Sequence, residues 1–315
     1  MSKSTREPKK IPVETIPWEE WLELFLLHRK AQGLSERTLK DYQYHVSLFF
    51  NKYESGLTLG SLKLFVIKYF AESGELSPYT FNTRRKTLKP FFNWAIEEGL
   101  IENHPMTGIK KRKEDEKPKS VNEEVLKYLL SLPDTKTYVG LRDYAVFLLT
   151  MDSGIRPSEV FGLKVQDVNI KSLEVNIPAS VSKTRVSRTL PISPITAEVI
   201  RKLILNRHPS WREDTPLFSN ENGGKVISRT WGRRMEYYSK LLGTKVKPYQ
   251  LRHSFAIMFL RSGGNAFSLQ RTLGHTNLTM TKRYVSITES DLYQQHALAT
   301  PLNKLVPQRN RVRKL

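Results

Sequence analysis

From Lys247 to Tyr284 the chain reads KPYQLRHSFAIMFLRSGGNAFSLQRTLGHTNLTMTKRY, and the rest of the sequence is organised around this stretch. Its chemistry is concentrated in Arg252, His253, His275 and Tyr284. Gly274 has the character of a helix C-terminal stop, and the polar pair Thr276-Asn277 can cap a new helix carrying Tyr284. That arrangement predicts that His275 and Tyr284 share one neighbourhood. An arginine offers a forked donor to phosphate oxygens, a histidine a further donor, and a tyrosine an oxygen nucleophile. Set in a chain with 51 Lys plus Arg against 31 Asp plus Glu, a formal net charge of +20, they predict a phosphodiester substrate.

The charge exceeds what solubility requires, so a polyanion is the expected partner. Taken alone, the charge fits a ribosomal or nucleoid binder without catalysis equally well. The absence of cysteine removes disulfides, thiolate nucleophiles and cysteine-ligated zinc from the possible mechanisms. No run of about 18 uninterrupted apolar residues occurs, and the opening MSKSTREPKKIPVE lacks the apolar centre of a signal peptide. A cytoplasmic, nucleoid-associated protein with no membrane partner is expected. The 315 residues suffice for two domains, and 39% apolar content with 14 Phe, 13 Tyr and 5 Trp supplies their cores.

Residues 1–13 are basic, Pro-containing and poor in apolar side chains, and are expected to be disordered. Within 14–104, Trp18, Trp21, Leu22, Phe25 and Leu26 recur at helical spacing up to Gly33. Ser35 caps a second helix with Leu39, Tyr42, Val46, Phe49, Phe50 and Tyr53 on one face. Leu62 to Phe70 forms a third. Ser77-Pro78 opens a fourth, with Leu88, Phe91, Phe92, Ala95 and Ile96 as its stripe and Gly99 as its end. This predicts an all-α domain of about 90 residues. Arg84, Arg85, Lys86 and Lys89 on its last helix are expected DNA contacts, although a charge run on a helix is more often a solvated face.

Residues 105–120, PMTGIKKRKEDEKPKS, are charged, contain two prolines and a glycine, and show no apolar period. They read as a basic linker that lets two domains clamp a duplex. Residues 121–298 form the second domain, of mixed α and β structure and mainly helical. Helices are expected over Val121–Leu132, Leu141–Met151, Pro194–Asn206 and Arg229–Leu242, and two strands from the alternations Leu173, Val175, Ile177 and Leu190, Ile192. Arg156 sits at a helix junction between Gly154 and Pro157, where it has little freedom to lose on gripping a phosphate, and Glu159 can orient it. Lys183 lies in the loop between the strands. The tail 299–315 is basic and adds sequence-independent affinity for DNA.

Arg156 in SGIRPSE, Lys183 in the strand loop, Arg252 in YQLRHSFA, His275 in LGH and Tyr284 nine residues later resemble the pattern of the tyrosine recombinase, or phage integrase, family. The resemblance spans nearly the whole chain, from a helical, SAM-like core-binding domain through a mixed catalytic domain. It implies site-specific DNA recombination, such as integration or excision of a mobile element or resolution of a chromosome dimer. It also implies a homotetramer on synapsed double-stranded DNA, in which the apolar run Leu292, Tyr293, Leu298 and Leu302 fits a segment docked on a neighbouring protomer. The short stretch before Trp18 argues against a separate arm-binding domain. One position departs from the family: Tyr249 stands where His-x-x-Arg usually has its histidine. A phenol can donate to a phosphate but is a poor base near neutral pH, so Tyr249 is expected to slow the chemistry without abolishing it. His253 is the nearby substitute, but because the family commonly also has a histidine there, it is assigned a structural role, with catalysis as the alternative.

The implied chemistry can be rebuilt from the residues. Tyr284 attacks a backbone phosphorus, giving a 3′-phosphotyrosyl link and a free 5′-hydroxyl. Arg156, Arg252 and His275 meet the negative charge that develops on the phosphorus oxygens, and Lys183 protonates the departing 5′-oxygen. Neither a metal nor another cofactor is needed, because two guanidinium groups supply the positive charge and one phosphodiester is exchanged for another. A type IB topoisomerase-like strand cutter and a non-catalytic DNA-binding protein remain as alternatives; the latter rests on Tyr249 alone.

Overall fold

The computed structural model describes residues 17–53, 58–114, 120–285, 293 and 296–306. The stretch 1–13 and the tail beyond 306 lie outside the described residues. The chain divides into two compact units, Met1–Asp115 and Glu116–Leu315.

The first unit contains α1 (Trp18–Ala31), α2 (Glu36–Lys52), α3 (Leu62–Glu72) and α4 (Pro78–Glu97). Ser35 and Ser77 cap α2 and α4, each hydroxyl accepting from a backbone N–H three residues on, at Thr38 and Thr80. The apolar stripes meet in an aromatic core. Phe91 lies edge-on to Phe25, Phe50 and Phe92, with centroids 5.4, 5.7 and 5.5 Å away, the geometry that ring quadrupoles favour.

The basic residues of α4 divide by what they touch. Arg84 donates to Ser73 Oγ at 2.7 Å and lies over the Tyr69 ring, and Arg85 donates to the Ile109 carbonyl at 2.8 Å. Lys86 and Lys89 are exposed.

Residues 105–114, read from the sequence as the start of a linker, pack on this unit. Met106 is buried and Ile109 lies against the same core. Asn82 holds Arg112 by its backbone carbonyl and N–H, at 2.8 and 2.9 Å, and the Arg112 guanidinium sits 3.9 Å over the Phe81 ring. Two apolar residues three apart are too few to register as a period, but enough to anchor a segment. On the other side, Val121 N–H donates to Ser254 Oγ at 2.9 Å. Residues 115–119 between these anchors lie outside the described set.

The second unit contains α5 (Glu123–Ser131), α6 (Tyr138–Ser153), α7 (Pro157–Val160), β1 (Val168–Asn169), β2 (Glu174–Ile177), β3 (Arg188–Pro191), α8 (Pro194–Leu205), α9 (Ser228–Leu241), α10 (Pro248–Arg261), α11 (Ala266–Leu273) and α12 (Leu278–Lys282). The sheet is antiparallel in the order β1-β2-β3, with Val175 opposite both Val168 and Leu190. β1 was not expected, because two residues carry no alternation. α6 packs on α8 and α10, and its Phe147 and Leu149 are fully buried. A small separate cluster joins Phe255, Ala256, Leu269, Leu273 and Tyr284. Among the described residues no helix is long and apolar enough to cross a membrane. Tyr293, Leu298 and Leu302 are exposed; Leu292 lies outside the described residues.

Phe91→Ala removes the ring at the centre of the first core, and is expected to destabilise it by about 3–5 kcal/mol. A lowered denaturant midpoint in the unfolding curve checks this, with Lys86→Ala on the same helix leaving the midpoint unchanged.

Candidate active site

Two helix ends build the site. α6 ends at Gly154 (φ +62°) and α11 at Gly274 (φ +61°), both left-handed. The last carbonyls of a helix lack intrahelical partners and form the negative end of its dipole, where a cation is stabilised. Arg252 donates to the Gly154 carbonyl at 2.6 Å and to the Leu273 carbonyl at 2.8 Å. Arg156 donates to the Gly274 carbonyl at 3.0 Å. Residue 154 must be glycine for a second reason: a Cβ there would lie 2.3 Å from the Phe255 ring.

Arg156 and Arg252 are 6% and 2% exposed, so their charge needs compensation. Glu159, with no exposed surface, supplies it. Its carboxylate accepts from Arg156 at 3.1 Å, from Arg188 at 2.5 Å and from the Lys183 backbone N–H at 3.3 Å. Burial alone would raise the Glu159 carboxyl; the hydrogen bond from Arg188 and the charges of Arg188 and Arg156 together outweigh it and hold the group below its ordinary 4.5. Arg252 moves the other way. Burial first, and Arg156 second, lower it to about 10, which still leaves it charged at neutral pH.

Arg188 was not singled out from the sequence, although a signal was available. Strand alternation puts it on the face of buried Leu190, where a charge requires a partner. It finds Glu159 and the Thr272 carbonyl, the latter at 3.3 Å.

His275 follows Gly274 directly. Its Nε2 lies 3.2 Å from Arg252 Nη2. Since a guanidinium only donates, Nε2 is the acceptor and the ring proton sits on Nδ1, which faces Thr281 Oγ1 at 2.9 Å. Burial, followed by Arg252, Arg156 and Arg188, pushes His275 down to about 4, in keeping with a neutral ring. Asn277 caps α12 by accepting from Met280 N–H, and Tyr284 lies just past the end of that helix rather than on it. Its ring stacks near-parallel to His275 at 6.3 Å, and its hydroxyl lies 2.7 Å from His253 Nδ1. Burial raises the Tyr284 phenol, and the opposing charges of Arg252, Arg283 and Arg156 only partly offset that.

Arg156, Arg252, His275 and Tyr284 therefore share one neighbourhood. Lys183 stands in the turn between β2 and β3, its backbone tied to Glu159 and its side chain exposed. Tyr249 is at the rim, 45% exposed, with its ring 6.3 Å from His253 and no hydrogen bond among the described residues. His253, assigned a structural role from the sequence, touches the phenol. The contact spans α10 and the segment after α12, which local sequence does not encode. Arg84, Arg85, Lys86 and Lys89 belong to the other unit.

A buried arginine pair, a histidine and a tyrosine on a mainly helical domain with a small antiparallel sheet define a tyrosine-type DNA breaking and rejoining enzyme. The chain belongs to the phage integrase family, whose sequence profile matches residues 119–291. It is 28% identical over 275 residues to tyrosine recombinase XerC of Shewanella amazonensis, covering 85% of this chain and 91% of that protein. It is 31% identical over 241 residues to tyrosine recombinase XerC of Myxococcus xanthus, covering 73% and 78%. In fold it resembles the Tn1549 transposon integrase, solved in complex with a circular intermediate DNA, with a TM-score of 0.69 at 19% identity over 88% of this chain and 98% of that one.

Glu159→Gln removes the buried counter-charge and is expected to cost about 3–5 kcal/mol at neutral pH. Because the folded carboxyl lies below its unfolded value of 4.5, its stabilisation is complete above that value and drains away as pH falls through the lower folded one. Denaturant midpoints measured from pH 7 downward should thus converge for wild type and Glu159→Gln in acid.

Proposed function

We propose that Tyr284 is the nucleophile of site-specific recombination, attacking a DNA phosphodiester to leave a 3′-phosphotyrosyl link and a free 5′-hydroxyl. The observation that carries this reading is the convergence of Arg156, Arg252 and His275 beside the Tyr284 ring. As the phosphorus becomes five-coordinate, charge collects on its non-bridging oxygens. The two guanidinium groups, already ordered by helix-end carbonyls, meet that charge with little further loss of freedom.

His275 joins them by moving its proton. In the neutral ring described above, Nε2 is an acceptor turned to Arg252. A phosphate oxygen arriving there favours the other tautomer, with the proton on Nε2 directed at the phosphate and the Thr281 hydroxyl turned to donate to Nδ1. The buried threonine serves either tautomer because a hydroxyl both donates and accepts.

Lys183 protonates the departing 5′-oxygen, and its backbone bond to Glu159 supports a location beside the arginine pair. The 5′-hydroxyl of a second duplex then attacks the phosphotyrosyl phosphorus, exchanging strands. The exposed Lys86 and Lys89 bind the DNA backbone, Arg84 and Arg85 contribute to it through the field of the first unit, and Tyr249 reaches the DNA at the rim as a hydrogen-bond donor. The working assembly is a homotetramer on two synapsed duplexes in the cytoplasm, in association with the nucleoid. The exposed apolar side chains Tyr293, Leu298 and Leu302 support a docking role for this segment. Similarity to XerC proteins over most of their length favours recombination over topoisomerase-like relaxation.

Incubation with end-labelled nicked duplexes taken from the DNA flanking the coding sequence should give a slow-migrating covalent band on a denaturing gel. The band is expected to vanish in Tyr284→Phe and to persist in chelator; a band surviving in Tyr284→Phe would refute the nucleophile. Lys183→Ala should slow cleavage by about 100- to 10,000-fold, and sulfur in place of the leaving 5′-oxygen, which departs without a proton, should restore it.

A further inference from the structure

On the reading of Tyr284 as nucleophile, we propose that His253 is the general base that accepts its proton, in place of the residue at position 249. A base must lie within about 2.6–3.2 Å of the atom that gives up the proton. His253 Nδ1, 2.7 Å from the Tyr284 hydroxyl, meets that condition. Tyr249 has no hydrogen bond to Tyr284 among the described residues, and nearly half of its surface faces solvent.

The chemistry agrees with the geometry. At neutral pH an imidazole, whose protonated form has an ordinary pKa of about 6.5, is free to accept a proton, whereas a second phenol, at about 10, still carries its own and its neutral oxygen is not basic. The groups facing His253 are Arg252 and Tyr249 on its own helix, and Arg283 and Tyr284 beyond α12. Burial first, then Arg252 and Arg283, lower its pKa, so at neutral pH the ring is uncharged and has a lone pair for the phenol. The same cations oppose its protonation. A phosphodiester bound at Arg252 offsets their field, so the base is strongest when substrate is in place. Tyr284 itself needs such help, because its burial makes ionisation harder.

The step balances. As the Tyr284 oxygen bonds to phosphorus, its proton passes to His253 Nδ1; as the bond to the 5′-oxygen breaks, that oxygen takes a proton from Lys183. On rejoining, the incoming 5′-hydroxyl gives its proton to Lys183, and imidazolium at 253 returns one to the leaving phenol. Protons begin and end on the same groups.

The test uses the full chain and the nicked duplex that traps the wild-type protein. His253→Asn keeps an acceptor near the phenol but has no basicity, so an effect of positioning alone would be rescued by it. Single-turnover cleavage by His253→Asn is expected to fall by about 100-fold or more at pH 7, and to climb with pH as the phenol ionises unaided. Replacing Tyr284 with 3,5-difluorotyrosine, which ionises nearer neutrality, should shrink that deficit to less than about tenfold, since a base matters less to a more acidic nucleophile. DNA affinity and thermal midpoint report folding, and His253→Gln, with the same acceptor chemistry, carries the test where His253→Asn does not fold. Wild-type rates in His253→Asn, a deficit unchanged by fluorination, or a loss that appears in Tyr249→Phe instead would overturn the base. Absence of a Tyr284-dependent band in the wild type would overturn the nucleophile itself.

Discussion

Arg156, Arg188 and Arg252 come together in a neighbourhood that is largely closed to water, and like charges in such a place repel more than at a surface. Everything around them answers that constraint. Glu159 gives up all contact with solvent to pair with two of the three. The ends of α6 and α11 turn unpaired carbonyls on Arg156 and Arg252. Left-handed glycines at 154 and 274 are what let both helices stop where their carbonyls reach the guanidinium groups. The pair is thus fixed by the fold itself, and the charge of Arg156 and Arg188 is tied to the buried carboxylate of Glu159.

That arrangement explains why His275 is held neutral. Each nearby arginine opposes a positive imidazole, and the donors of Arg252 fix the lone pair on Nε2. A permanently charged ring would repel the arginines, whereas a neutral ring costs nothing electrostatically and still offers a proton once an anion is present. Thr281 completes the device from within the helix that leads to Tyr284.

Much of this was legible in the sequence because it follows local rules. The caps at Ser35, Ser77 and Asn277, the stops at Gly154 and Gly274, and the stripes of α2 and α4 are written in runs of adjacent residues. Arg156, Arg252, His275 and Tyr284 were legible because a motif carries them; Arg188 was not. What escaped was non-local. The packing of 105–114 depends on Asn82 and Phe81, a segment that composition alone marks as linker. Half of the α4 arginine and lysine set is taken up by Ser73, Tyr69 and the Ile109 carbonyl, which no charge count reveals. His253 meets Tyr284 only because α10 and the segment after α12 are brought together around the small Phe255 cluster, a contact between residues 31 apart in sequence.

The arginine cradle and Tyr284 also differ in how firmly they are built. Arg156 and Arg252 are held by α6, α7, α10 and α11, packed into the main core and beside it. Tyr284 follows a helix of five residues and rests on four other buried side chains, Phe255, Ala256, Leu269 and Leu273. Local stability follows buried contacts, so the segment carrying the phenol can shift at lower cost than the arginines can. If Tyr284 is the nucleophile proposed above, phosphate binding and nucleophile placement are separable steps. On the proposed reading, a duplex is held by a rigid electrostatic site while the hydrogen bond between His253 and Tyr284 sets whether the phenol is ready to attack. In a reaction that leaves DNA broken between its two halves, separating grip from attack lets strand cutting wait until the substrate is in place.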